Sequence, residues 1–79
     1  MKAYVMVTTK AGTSEKVVKA FKGTKGILSV ECVYGRFDAI ITIEGSEMRD
    51  IDNIIRKITR NQNVLHTETA IKHYLQDEY

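Results

Sequence analysis

Tyr34-Gly35-Arg36-Phe37-Asp38-Ala39-Ile40-Ile41-Thr42-Ile43-Glu44 joins a turn to a strand, and its reading decides the fold. Gly35 supplies the positive φ that a tight connection needs, so the first half is a hairpin tip. From Ala39 onward, apolar or β-branched residues occupy both phases of the alternation. A strand with one wet face alternates cleanly into polar residues, whereas one that does not is covered on both sides. The opening strand repeats the pattern, with Tyr4 and Met6 in one phase and Val5 and Val7 in the other.

The elements on either side follow from local chemistry. Ala3 to Thr8 is the first strand, rich in β-branched and aromatic residues and closed by Thr9-Lys10-Ala11-Gly12. Thr13 or Ser14 caps a helix whose first turn carries Glu15, opposing the macrodipole. Val17, Val18 and Phe21 form its apolar stripe, which ends at Gly23. Ile27 to Val33 is the second strand and Asp38 to Glu44 the third. Gly45-Ser46 opens a second helix with Ser46 as cap. Its Ile51, Ile54, Ile55 and Ile58 keep the i, i+3, i+4, i+7 rule, and Arg56, Lys57 and Arg60 suit its C-terminal end. Val64 to about Tyr74 is the last strand, and Gln76 to Tyr79 a polar tail.

The order is βαββαβ. Two βαβ halves with right-handed crossovers predict a four-stranded antiparallel sheet with both helices on one face. The first and third strands are expected in the centre, side by side and parallel. The helix-free face, apolar along both, is expected to meet the sheet of another subunit.

Chain length leads to self-association independently. With 79 residues the chain makes one domain, 1–79, and such a domain hides only about 60% of the surface its unfolded chain exposes. Small folds compensate with disulfides, a metal or assembly. The single Cys32 excludes an internal disulfide and is expected as a packed thiol. Two histidines and one cysteine do not close a four-ligand zinc site, so no metal or other cofactor is expected. Apolar residues at 43% and charged residues at 28% describe a globular chain. No signal peptide and no apolar run of membrane-spanning length is present, which implies a cytoplasmic protein without a membrane partner. Twelve basic and ten acidic residues are spread along the chain, which does not suit direct DNA binding. No linker or repeat leaves room for a helix-turn-helix.

Most candidate motifs reduce to structure. Gly23-Thr24-Lys25-Gly26 follows a helix, whereas a phosphate loop precedes one, so it is a C-cap and turn. Lys16, Lys19, Lys22 and Lys25 are a solvated helix face. His66 and His73, seven apart on one predicted strand, face opposite ways and share no metal. No Ser-His-Asp or paired-carboxylate pattern indicates catalysis, so the chain is not expected to be an enzyme.

The turn is different. Asp38 stands where strands avoid Asp. An acidic group beside the amides around a glycine pairs with an α-ammonium while the amides take a carboxylate, which suits a free amino acid. Thr67-Glu68-Thr69 is a second candidate, its two threonines sharing one face of the last strand.

At these residues the sequence resembles the ligand-sensing (RAM) domain of the Lrp/AsnC family of transcriptional regulators. The likeness spans essentially the whole chain. It rests on the Ala3-Tyr4-Val5 strand, the Gly35-Arg36-Phe37-Asp38 turn, the apolar third strand and Thr67-Glu68-Thr69. It implies a ferredoxin-like α+β sandwich of the dimeric α+β barrel type. It further implies a homodimer joined through its sheets, assembled into rings or octamers, with amino-acid effectors bound between dimers. Carried over, Asp38 holds the effector's ammonium and Gly35 admits the backbone to it. Tyr34, Arg36 and Phe37 shape the pocket, and Thr67, Glu68 and Thr69 line it from the last strand. Tyr34 stands where many relatives carry a small polar residue. Family members read DNA through an N-terminal helix-turn-helix absent from this sequence, which implies a stand-alone sensing domain with full-length Lrp/AsnC regulators as partners.

Other readings share the topology. An RNA-recognition module needs stacking aromatics on its central strands, and Tyr4 fits, but Asp38 and the aliphatics of the third strand do not. An amino-acid-binding ACT domain shares both topology and ligand class. A small dimeric α+β barrel enzyme would need a base, and His66 or His73 would have to provide it.

Overall fold

Six elements follow one another in the computed structural model, which describes residues 1–73: β1 (Lys2–Thr9), α1 (Ser14–Phe21), β2 (Ile27–Cys32), β3 (Ala39–Glu44), α2 (Met48–Thr59) and β4 (Val64–Ile71). Tyr74 and the tail Gln76 to Tyr79 lie outside the described residues. The expected order holds, with boundaries displaced by at most three residues.

Strand alternation builds the core. β1 buries Ala3, Val5, Val7 and Thr9, and β3 buries Ala39, Ile41 and Ile43 on the same side. α1 adds Val17 and Phe21, and α2 adds Ile51, Ile54 and Ile58. Each fully buried aliphatic of this kind contributes about 1.5–3 kcal/mol. α1 leans on β2, while α2 packs over β4, β3 and β1. Tyr4, Met6, Ile40 and Thr42 face the other way and remain half-buried, with Met6 opposite Ile40 and Tyr4 opposite Thr42.

The sheet order is β2-β3-β1-β4, so β1 and β3 are central neighbours. They run antiparallel, which corrects the parallel pairing expected from the sequence. The physical reason is the β2–β3 turn. The α1 crossover returns β2 parallel to β1, and the turn reverses β3, which then inserts between them antiparallel to both.

Both edge strands are bulged. Pairing of β2 with β3 shifts between Ile27 and Ser29, leaving Leu28 without an opposite residue. Pairing of β4 with β1 passes from Thr8–His66 to Thr9–Val64, which leaves out Leu65. Both leucines are exposed.

The start of α2 also departs from expectation. Its N-cap is Glu47, not Ser46. Asp50, in the first turn, accepts hydrogen bonds at Oδ2 from the amides of Ser46 at 2.9 Å and Glu47 at 3.2 Å. A carboxylate reaching back from the first turn thus satisfies the amides of Ser46 and Glu47, the reciprocal half of a capping box.

Candidate ligand-binding site

Asp38 is anchored where β3 begins. Its amide donates to Val7 O at 2.8 Å, and its carbonyl accepts from Val33 N at 3.0 Å, closing the β2–β3 turn. Its carboxylate Oδ2 accepts from the Thr9 amide at 2.7 Å and the Thr9 hydroxyl at 3.2 Å. Since β3 begins only at Ala39, the carboxylate stands in for a carbonyl that a longer strand would offer Thr9. Thr9 is the buried polar residue of the described core. Its hydroxyl needs a partner there, and Asp38 provides it.

Sequence reading did not select Thr9, although a signal was present. Thr9 falls in the inward phase with Ala3, Val5 and Val7, so alternation alone sends a hydroxyl into the core.

The turn itself is open. Gly35 adopts φ +136, and Tyr34 is fully exposed. Arg36 is exposed and Phe37 half-buried. A groove of about 370 Å³ gathers Tyr34 and Asp38 with Ser14, Glu15, Cys32 and Val33. The start of α1 therefore forms one wall, which the sequence reading did not anticipate. Cys32 is exposed rather than packed, because it stands at the end of an edge strand.

The threonine candidates lie elsewhere on the same protomer. Thr67 and Thr69 pair with Val7 and Val5, hence they share the helix-facing side, toward α2. Glu68 pairs with Met6 and occupies the open side, as does His66 opposite Thr8. β1 separates all of them from the turn, so one protomer does not bring the two groups into one groove. His73 lies beyond the end of β4. Among the described residues, no three His, Cys, Asp or Glu side chains gather around a point where a metal would sit. No helix among them is long and apolar enough to cross a membrane.

A larger groove of about 710 Å³ lies at the opposite end of the sheet, bordered by Gly26, Leu28, Gly45, Asp50, Ile54 and Lys57. Of its two carboxylates, Glu44 and Asp50, Asp50 is engaged in capping α2.

Known structures share this architecture. A hypothetical protein from Pyrococcus horikoshii is 25% identical, with a TM-score of 0.86 over 95% of this chain and 92% of its own. FFRP-DM1 is 26% identical, with a TM-score of 0.87 over 91% and 97%. A feast or famine regulatory protein from M. tuberculosis, described as complexed with L-methionine, is 15% identical with a TM-score of 0.68. This chain is covered over 99% in that comparison and spans 55% of that protein, a likeness of fold. No curated protein sequence matches. The model of the Lrp/AsnC ligand binding domain matches residues 2–72, which takes in all six elements, and the chain belongs to that family.

Proposed function

We propose that the chain senses a free amino acid without catalysing a reaction. It works as a homodimer joined through the open face of the sheet and assembled into larger rings or octamers, with full-length Lrp/AsnC regulators as partners in transcription control. The observation that carries the reading is the groove holding Tyr34 and Asp38 in a chain of this family. Its volume lies at the lower end of the range for small-molecule sites, about 300–1,000 Å³. The relative described with L-methionine supports the ligand class. Thr67, Glu68 and Thr69 complete the site from a neighbouring protomer, since their own protomer holds them across β1 from the turn.

Dimerisation is supported by Met6 and Ile40, an apolar pair in register on the helix-free face. Of the β1 and β3 residues facing that way only Tyr4 is aromatic, which suits a subunit contact better than base stacking.

Thermal unfolding against each common L-amino acid at millimolar concentration tests the reading. A ligand present at 100 times its dissociation constant stabilises the folded state by about 2.7 kcal/mol. One amino acid, or a related pair, is expected to raise Tm, and Asp38→Ala to abolish the rise while the dimer persists. A flat panel refutes the sensor. Sedimentation at micromolar concentration tests the assembly: a stable wild-type monomer refutes it, and Ile40→Asp is expected to dissociate the dimer.

A further inference from the structure

We propose that Thr9 is the positioning residue of the candidate site, acting through Asp38, an inference that rests on the sensor reading above. Two donors of Thr9, its amide at 2.7 Å and its hydroxyl at 3.2 Å, converge on a single carboxylate oxygen, Oδ2. That fixes the rotation of the Asp38 side chain and leaves Oδ1 as the acceptor for a ligand's ammonium. An Asp on an exposed turn would otherwise rotate freely and present either oxygen. Binding would then have to order it, at the expense of affinity.

Thr9 is itself well held. It is 7% exposed and closes β1. The next residue ties the β1–α1 and α2–β4 connections together: Lys10 N donates to Asn63 O at 2.9 Å, and Lys10 O accepts from Thr13 N at 3.1 Å and Thr13 Oγ1 at 2.7 Å. Thr13 precedes α1, whose first residues Ser14 and Glu15 line the groove with Asp38. Through Thr9 and Lys10, opposite walls of the groove are fastened to the same end of β1. The chemistry selected at Oδ1 is a primary ammonium or another N–H donor, and a ligand with an anionic group at that point is excluded.

Thr9→Val removes the hydroxyl bond and keeps both the volume and the amide bond, so the fold is retained. Thr9→Ser restores the hydroxyl. Amide hydrogen exchange followed by NMR reads the clasp directly. In Thr9→Val the amide of residue 9, which donates to Asp38 Oδ2, is expected to exchange about tenfold faster relative to its intrinsic rate, and in Thr9→Ser at nearly the wild-type rate, with Val5 and Ile41 unchanged in both. Titration with the amino acid that stabilises the wild type reads the site, with an expected loss of affinity of about tenfold in Thr9→Val and recovery in Thr9→Ser. Unchanged exchange at residue 9 in Thr9→Val overturns the proposal. So does faster exchange with unchanged affinity, which makes Thr9 a structural residue alone. If no amino acid stabilises the wild type, the sensor reading fails, and the exchange comparison decides whether Thr9 holds Asp38.

Discussion

At the end of the sheet that carries the β2–β3 turn, Gly35 stands with nothing within 4 Å of the place a Cβ would occupy. At the other end, a Cβ on Gly26 would lie 2.5 Å from Ile54 Cδ1, and one on Gly45 would lie 2.5 Å from Asp50 Cβ. Glycine is needed in both regions, for unrelated reasons. Gly26 and Gly45 let the chain approach α2 closely, so they serve packing. Gly35 serves backbone conformation and keeps the space in front of the turn clear. The larger groove thus has walls committed to the core and to a helix cap, while the smaller one has a free turn and an oriented carboxylate.

Substitutions that treat the two ends unequally sharpen this contrast. Gly26→Ala meets both a disfavoured φ of +89 and the Ile54 side chain. It is expected to cost about 3 kcal/mol, seen as a lower urea midpoint at unchanged slope. Gly45→Ala has no positive φ to satisfy but drives a methyl into Asp50 and the α2 cap. The expected loss is about 2 kcal/mol by the same measurement. Neither should alter amino-acid affinity once measured well below Tm. A loss of affinity at retained stability would move the site to the larger groove and break the comparison.

Gly35→Ala reverses the pattern, with about 1 kcal/mol lost to backbone strain and a fall in amino-acid affinity by calorimetry. Smallest is Thr13→Ala, about 0.5 kcal/mol in thermal unfolding. Its hydroxyl bonds back to Lys10 O and caps no amide of α1, so the usual penalty for removing a helix cap does not apply.

Much of the fold was legible because each element carries its own period. Ile51, Ile54 and Ile58 specify α2 on one helical face, and the alternation in β1 specifies an inward set without reference to any other segment. What local period does not carry is direction and distance. The relative direction of β1 and β3 depends on how the chain between them turns back, and no residue in either strand encodes it. The turn was legible as a candidate because Asp at a strand mouth is unusual, yet its partner Thr9 lies 29 positions away. The Ser14–Glu15 wall was hidden for the same reason, since only the folded chain brings the start of α1 to the turn. Cys32 looked packed by composition, but burial is decided by its place at the end of an edge strand.

The bulged leucines have a consequence for growth. A sheet with free edges is a template on which further strands add, and unchecked addition leads to fibres. Here β2 and β4 form the two edges, and each carries an interruption, at Leu28 and Leu65, that breaks the regular ladder of amides and carbonyls. A foreign strand laid along either edge would lose register partway along it. Polymerisation by edge addition is thereby obstructed from both directions.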